Sequence, residues 1–229
     1  MSRPLIIAHR GAAGYEVENS LAAFRLAGEQ GADAVELDIH STADGALVVH
    51  HGETIGDHHI AHMSLADIRE HPLANGEPIP TLPEALALIV PKMIAYVEIK
   101  FVAKAWDDRL FEAIERTGAP ERIALHAFDH RIIRRMGEKR PFIRRGVLSA
   151  SYPVYPVRTL EDADASILWQ HHHHVDDALV TKLHAAGMAV HVWTVNDPAE
   201  VRRFLALGVD GICTDYPDVA RAAFTALPA

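Results

Sequence analysis

Cysteine is nearly missing from this chain. One occurs in 229 residues, Cys213, so no disulfide can join two parts of it, and a small scaffold stapled by such bridges is excluded. Basic runs are missing too. Lys and Arg total 22 against 31 Asp and Glu, a formal net charge of −9. A chain that grips a nucleic-acid backbone usually carries a basic face, so a nucleic-acid partner is not expected. The acidic balance leaves a phosphate substrate open, provided a bound metal supplies positive charge locally. No apolar stretch approaches the ~20 residues of a membrane span. The opening "MSRPLIIAHRG" passes into a strand-like run too short for a signal segment, which makes the cytoplasm the expected location. Repeats, linkers and low-complexity stretches are also lacking, so one domain over residues 1–229 is expected. With 49% hydrophobic residues, a chain of this length can bury one large core.

What is present is an alternation of short apolar runs and helix-like segments. Strand candidates are "LIIAH" (5–9), "AVELDI" (34–39), "LVVHH" (47–51), "IAYVEIK" (94–100), "IALHAF" (123–128), "IRRGVLS" (143–149), "SILWQ" (166–170), "AVHVWTV" (189–195) and "GICTD" (211–215). Between them lie segments with helix signals. "NSLAAFRLAGEQG" opens on Asn19 or Ser20 as cap, "TLPEALALIV" has Thr81 and Glu84 in capping-box spacing, and "DDALVTKLHAAG" and "DPAEVRRFLALG" end on glycine. One connection differs. Asp44-Gly45 joins two runs across only a few residues, whereas a parallel crossover needs a dozen or more. "LVVHH" is therefore predicted to return antiparallel. The other eight strands with helical crossovers predict an α/β fold, a (β/α)8 TIM-type barrel, with a hairpin extension and a small insertion at about 52–80 after the second strand.

Strands of a parallel barrel are buried on both faces and normally read as unbroken apolar runs. Two here do not. In "AVELDI", Val35, Leu37 and Ile39 share one face, while Glu36 and Asp38 share the other. In "IAYVEIK", Val97 and Ile99 oppose Glu98 and Lys100. With the apolar sets under the helices, the charges meet in the barrel mouth. Three converging carboxylates are costly to bury unpaired. A hard divalent cation resolves that cost, so Glu36, Asp38 and Glu98 are the expected metal ligands. All-oxygen ligation suggests Mg²⁺ or Ca²⁺. The competing reading is a buried ion-pair network, with Lys100 and Arg10 neutralising the acids.

His9 ends the first strand and His51 ends the hairpin return, each followed by glycine within two residues. Two imidazoles beside a metal suit phosphodiester hydrolysis, one taking a proton from the attacking oxygen and one protonating the leaving alcohol. Arg10 and Lys100 are then available to the phosphate oxygens. His50 competes with His51, because adjacent strand residues face opposite ways and only one can enter the mouth.

At these residues the chain resembles the glycerophosphodiester phosphodiesterases. "AHRGAAGYEVENSLAAF", "GADAVELDIHSTADGALVVHH", "PTLPEALAL", "VEIK", "VWTVND" and "GVDGICTDYP" occur in that family's order and spacing over nearly the whole chain. The resemblance implies a (β/α)8 barrel with a short insertion after the second strand. It implies His9 and His51 as the acid/base pair, Glu36, Asp38 and Glu98 as ligands of one divalent cation, and Arg10 and Lys100 at the phosphate. It matches His51, not His50, to the catalytic position. Glu18 and Asn19 correspond to the family's "EN" and would orient these groups, although Asn19 could equally cap the helix. Trp193 would wall the alcohol side of the pocket. Two departures stand out. Gly52 replaces the usual Asp, which removes a polar contact near His51, and "HAF" (126–128) replaces Ser-Phe, so that His126 either lines the mouth or is an ordinary buried strand histidine.

The implied reaction is hydrolysis of a small-molecule glycerophosphodiester to glycerol 3-phosphate and an alcohol. Three other readings stay open. A relative acting on lysophospholipids would show an apolar mouth. An aldolase-type barrel would use Lys100 in a Schiff base. A phosphate-ester binding protein without turnover is suggested by Gly52. The run His171–His174 falls in a loop after the sixth parallel strand, on the same rim. Consecutive strand residues alternate, so at most two of the four are expected to face one ion, and His171 or His172 is the nearer to substrate. Any Zn²⁺ or Ni²⁺ held there would be adventitious.

Overall fold

The computed structural model describes residues 3–225. In chain order the elements are β1 (Leu5–His9), α1 (Leu21–Glu29), β2 (Ala34–Ser41), β3 (Leu47–Val49), β4 (Thr54–Ile55), β5 (His58–His59), α2 (Leu65–Arg69), α3 (Leu82–Ile89) and β6 (Ile94–Phe101). Then follow α4 (Asp107–Glu115), β7 (Ile123–Ala127), α5 (His130–Lys139), β8 (Arg144–Ser149), α6 (Pro156–Asp162), β9 (Ile167–His171), α7 (Asp177–Ala185), β10 (Ala189–Trp193), α8 (Pro198–Leu207), β11 (Gly211–Thr214) and α9 (Pro217–Thr225).

Eight strands form a parallel sheet in the order β1-β11-β10-β9-β8-β7-β6-β2, and β1 also pairs with β2, so the sheet closes into the expected barrel. Period-two alternation divides its side chains into two sets. Val35, Leu37, Ile39, Val97 and Ile99 face outward and pack with Phe24, Leu86 and Ile89 of the helices. Ile7, Tyr96, Leu148, Trp169 and Cys213 fill the interior. Each such aliphatic side chain, once fully buried, contributes about 1.5–3 kcal/mol, so the outer set fixes which way the charged set must point.

β3 returns antiparallel on β2, pairing Ile39 with Val49 and Ser41 with Leu47. It is shorter than the run "LVVHH". Val49 points its N–H away from β2 to Pro80 (2.7 Å), and His50 beyond it still donates to the Asp38 carbonyl (3.1 Å). The insertion holds two elements without a clear sequence signal, the β4–β5 pair and α2. They close over a satellite cluster of Val48, Ile60, Ile68 and Ile79. The cap of α1 is Ser20, whose Oγ accepts the Ala23 N–H at 3.0 Å. Asn19 is thereby released from capping. At α3 the Glu84 carboxylate accepts the Thr81 N–H at 2.7 Å. Gly11 has φ +85°, and a Cβ there would lie 2.7 Å from Ala23. Only glycine lets the loop after His9 press this closely on α1.

Candidate active site

Strand register assembles the site. β1 sets His9 beside Glu36, β2 sets Asp38 beside Glu98, and β6 sets Glu98 beside His126. His9 ends β1 and His126 is one residue from the end of β7, so this level is the C-terminal end of the barrel, where barrels of this kind carry their active sites, while β2 and β6 run on beyond it. Glu36, Asp38 and Glu98 are 3%, 1% and 7% exposed, too buried for three isolated charges.

Each carboxylate has its own surroundings. Asp38 is the most heavily partnered. The Asn19 side-chain amide donates to its Oδ2 (2.8 Å) and the Asn19 Oδ1 accepts its N–H (3.3 Å). Arg10 Nε lies 3.2 Å and Lys100 Nζ 3.3 Å from its oxygens. Burial pushes the Asp38 carboxyl up, but Lys100, Arg10 and Asn19 outweigh it and hold it below the usual range. Glu36 accepts the Arg10 N–H at 3.1 Å, and Glu98 meets Lys100 Nζ at 2.7 Å. Burial first, and then repulsion from the neighbouring carboxylates, raises both well above the usual carboxylate range. Ligand atoms of Glu36, Glu98 and His126 lie within 4.8 Å of one another. His126 stacks flat on Trp169 at 4.3 Å, and its Nδ1 has no hydrogen-bond partner. Burial pushes this imidazole down to about 4, so it is a neutral nitrogen donor. Two carboxyls that resist ionisation and a neutral imidazole whose Nε2 lies 3.7 Å from Glu36 Oε1 fit a divalent cation, whose charge would remove the repulsion.

Arg10 and Asn19 both have left-handed backbones, φ +52° and +57°. Such conformations in non-glycine residues cost energy and gather at functional sites. Here they turn Arg10 toward Asp38 and Glu18, the latter at 2.7 Å, and turn the Asn19 amide onto Asp38. Glu18 and Asn19 therefore both contact the charged cluster.

His9 and His51 line one cavity of about 110 Å³ together with Arg10, Lys100, His126 and Trp193. Nδ1 of His9 lies 2.7 Å from Asp215 Oδ1. His51 is carried by the hairpin arm and faces the same space, whereas His50 turns back so that its Nδ1 meets the Gly52 carbonyl at 2.9 Å. That contact ties the turn where Gly52 has no side chain to do so. Trp193 donates its Nε1–H to the Trp169 carbonyl (3.1 Å) and packs edge-on against Phe128. Sequence reasoning missed Asp215 and Asn196. Both lie in quoted motifs, and Asp215 follows β11 directly, so the strand-end rule alone would have flagged it.

A closed (β/α)8 barrel whose mouth joins buried carboxylates, fixed cations and two imidazoles has the groups that metal-assisted hydrolysis of a phosphoric ester needs. The model of the Glycerophosphoryl diester phosphodiesterase family matches residues 9–219, and the chain belongs to that family. It is similar to a glycerophosphodiester phosphodiesterase of Caldanaerobacter subterraneus subsp. tengcongensis, with 32% identity over 94% of this chain and 96% of that one. Its fold is similar to that of an Oleispira antarctica phosphodiesterase solved in complex with the product sn-glycerol-3-phosphate (TM-score 0.86, 27% identity, 98% of each chain). It is also similar to a glycerophosphoryl diester phosphodiesterase from Silicibacter pomeroyi (TM-score 0.89, 25% identity, 98% of this chain and 94% of that one). The protein is a glycerophosphodiester phosphodiesterase, and its family is divalent-metal dependent. Among the described residues no helix is long and apolar enough to cross a membrane.

Proposed function

We propose that one barrel carries the whole reaction, with His9 and His51 as the acid/base pair and Glu36, Asp38 and Glu98 as ligands of a single Mg²⁺ or Ca²⁺, beside His126. The observation that carries this reading is that both histidines line the same small cavity as Glu36 and Glu98. The bound cation supplies Lewis-acid charge stabilisation to the phosphate. Arg10 and Lys100, which neutralise Asp38, face the cavity and hold the non-bridging oxygens as they gain charge. Asp215 holds Nδ1–H of His9, which leaves its Nε2 directed at the reacting atoms. One imidazole takes a proton from the attacking oxygen as that oxygen bonds phosphorus, the attacker being either water or a substrate hydroxyl whose cyclic phosphate a water then opens. The other gives a proton to the departing alcohol as the P–O bond to it breaks. Trp193 and Phe128 wall the side on which an alcohol or glycerol carbon skeleton rests. Glu18 and Asn19 fix Arg10 and Asp38. A cytoplasmic location is proposed with it, in line with the single buried thiol of Cys213.

The test is a metal-by-substrate panel on chelator-treated protein. Release of glycerol 3-phosphate from glycerophosphocholine with Mg²⁺ or Ca²⁺, abolished in His9→Ala, supports the reading. Substrate binding without turnover would favour the binding-protein alternative. Trapping of a carbonyl substrate on Lys100 by borohydride would favour the Schiff-base alternative.

One observation favours a lysophospholipid-type substrate as the second reading. Phe128 follows β7, and Tyr152, Val154 and Tyr155 lie in the loop after β8; they are 48%, 42%, 79% and 66% exposed. These apolar side chains lie outside the His-rich insertion. Comparison of kcat/KM for glycerophosphocholine and lysophosphatidylcholine separates the two, and a preference for the acylated substrate that falls in Tyr155→Ser would establish the second.

A further inference from the structure

The run of four histidines does not keep the alternation expected of an extended chain. β9 ends at His171, and His172–His174 wind into one 3-10 turn. A 3-10 turn rises only about 2 Å per residue, so neighbouring side chains fan out from a short axis instead of pointing to opposite faces. Ring nitrogens of His171, His172 and His173 come within 4.8 Å of one another as a result. The His172 and His173 rings stack at 4.1 Å, and Nδ1 of His171 accepts the His173 N–H at 3.4 Å. Where at most two of the four are expected to face one ion, the turn brings three of them close together.

A second observation bears on the same group. Nδ1 of His172 lies 3.1 Å from Glu200 Oε2, and Arg203 fixes the other oxygen of Glu200 at 3.2 Å. A ring held by a carboxylate through one nitrogen presents the lone pair of the other, which is how metal-ligating histidines are commonly oriented. His171 also packs edge-on against Trp193 at 5.0 Å, and Trp193 walls the catalytic cavity.

The geometry points to a second metal site, formed by His171, His172 and His173 and oriented by Glu200, for a borderline transition-metal ion such as Zn²⁺ or Ni²⁺. Three neutral imidazoles suit these ions and not Mg²⁺ or Ca²⁺, which take oxygen. The two sites on this rim therefore select different metals by ligand chemistry. Bonds of about 2.0 Å to one zinc ion require the three nitrogens to draw closer. His173 is exposed and the other two rings are half-buried, so side-chain rotation, with release of the long contact between His171 Nδ1 and the His173 N–H, frees the lone pairs for the metal. Occupancy clamps the end of β9 and, through His171, the Trp193 wall.

The test uses the full chain, freed of metal by chelation, saturated with Mg²⁺ and titrated with Zn²⁺ by calorimetry while tryptophan emission is followed. One Zn²⁺ should bind in the presence of Mg²⁺ and change the emission. His172→Ala and His173→Ala should each weaken that event by about 10-fold or more, and Glu200→Gln should weaken it in the same direction, as expected of orienting groups. His173→Ala should keep its Mg²⁺-dependent hydrolysis within about twofold when no Zn²⁺ is added, which shows that the barrel is intact. Unchanged Zn²⁺ affinity in the histidine variants overturns the proposal. So does loss of binding in Glu36→Gln, or in the His59→Ala/His62→Ala double variant, whose rings also lie near each other (5.9 Å). Several weak equivalents indifferent to every single variant, the mark of an adventitious ion only, overturn it as well.

Discussion

Nδ1 of His9 lies 2.7 Å from Oδ1 of Asp215, across 206 positions of sequence. Asp215 is itself held by Asn196, whose side-chain amide donates to Oδ2 (2.6 Å) and whose Oδ1 accepts the Asp215 N–H (2.9 Å). Burial lowers the His9 pKa, but the Asp215 hydrogen bond and the Glu36 charge outweigh it, and the net shift is upward. His51 moves the other way, lowered by burial and by Arg10.

With His9 and His51 in their proposed roles, those opposite shifts should give a bell-shaped rate profile, the alkaline limb belonging to His9 and the acid limb to His51. Asp215→Asn removes the charge that stabilises the His9 imidazolium, so the His9 pKa falls. The alkaline limb should move to lower pH while the acid limb stays. kcat should drop on the order of 10²–10⁴-fold with KM little changed. A profile that keeps its alkaline limb in this variant contradicts the assignment.

Chelation should abolish hydrolysis, and Mg²⁺ or Ca²⁺ should restore it. Stability offers a check that needs no turnover. The folded pKa values of Glu36 and Glu98 are raised, so their contribution is fully favourable below about pH 4.5 and is lost as pH rises through the folded values. Metal-free Glu98→Gln should therefore melt at or above metal-free wild type at pH 8. The difference should vanish toward pH 5, and the variant should gain less than wild type from added cation.

Asn19 tests positioning. Asn19→Gly preserves the left-handed backbone at φ +57° but deletes the amide that holds Asp38. Metal affinity and kcat/KM are expected to fall by about 10–100-fold, with the melting temperature nearly unchanged. A large loss of stability with normal kinetics per folded molecule would assign Asn19 to the fold alone.

Deep in the barrel, His191 is 2% exposed, packs edge-on against Tyr96 and Trp169, and has no partner at Nδ1. Burial pushes it down to about 3. The unfolded chain takes up this proton first, so stability is lost as pH falls below about 6.5. His191→Leu should remove about 2 kcal/mol of the loss that wild type shows between pH 7 and pH 5. Urea denaturation at the two pH values measures it.

Much of this was legible in the sequence because it is local. Glu36 with Asp38, and Glu98 with Lys100, declare their common face through the two-residue period of a strand. Asp44-Gly45 declares the hairpin through the length of its turn. What was not legible depends on contacts between distant segments or on turn geometry. Nothing near Asp215 in sequence names His9 as its partner. The choice between Asn19 and Ser20 as the cap of α1 rests on a left-handed backbone that no periodicity reveals. The convergence of His171–His173 depends on where β9 stops, and β4 and β5 are too short to carry a pattern.

The pairing of Asp38 with Glu98 and of Glu98 with His126 has an engineering consequence. Deletion of one residue within β2 would invert that strand, sending both acids under the helices and two aliphatic side chains into the mouth. The loop after β1 is constrained as well, because it carries Arg10, Glu18 and Asn19 to the charged cluster. Residues 52–80 are bound to the same arrangement at both ends, because Pro80 accepts the Val49 N–H and the Gly52 carbonyl holds His50, so a segment exchanged there must keep these two anchors if His51 is to stay in the mouth.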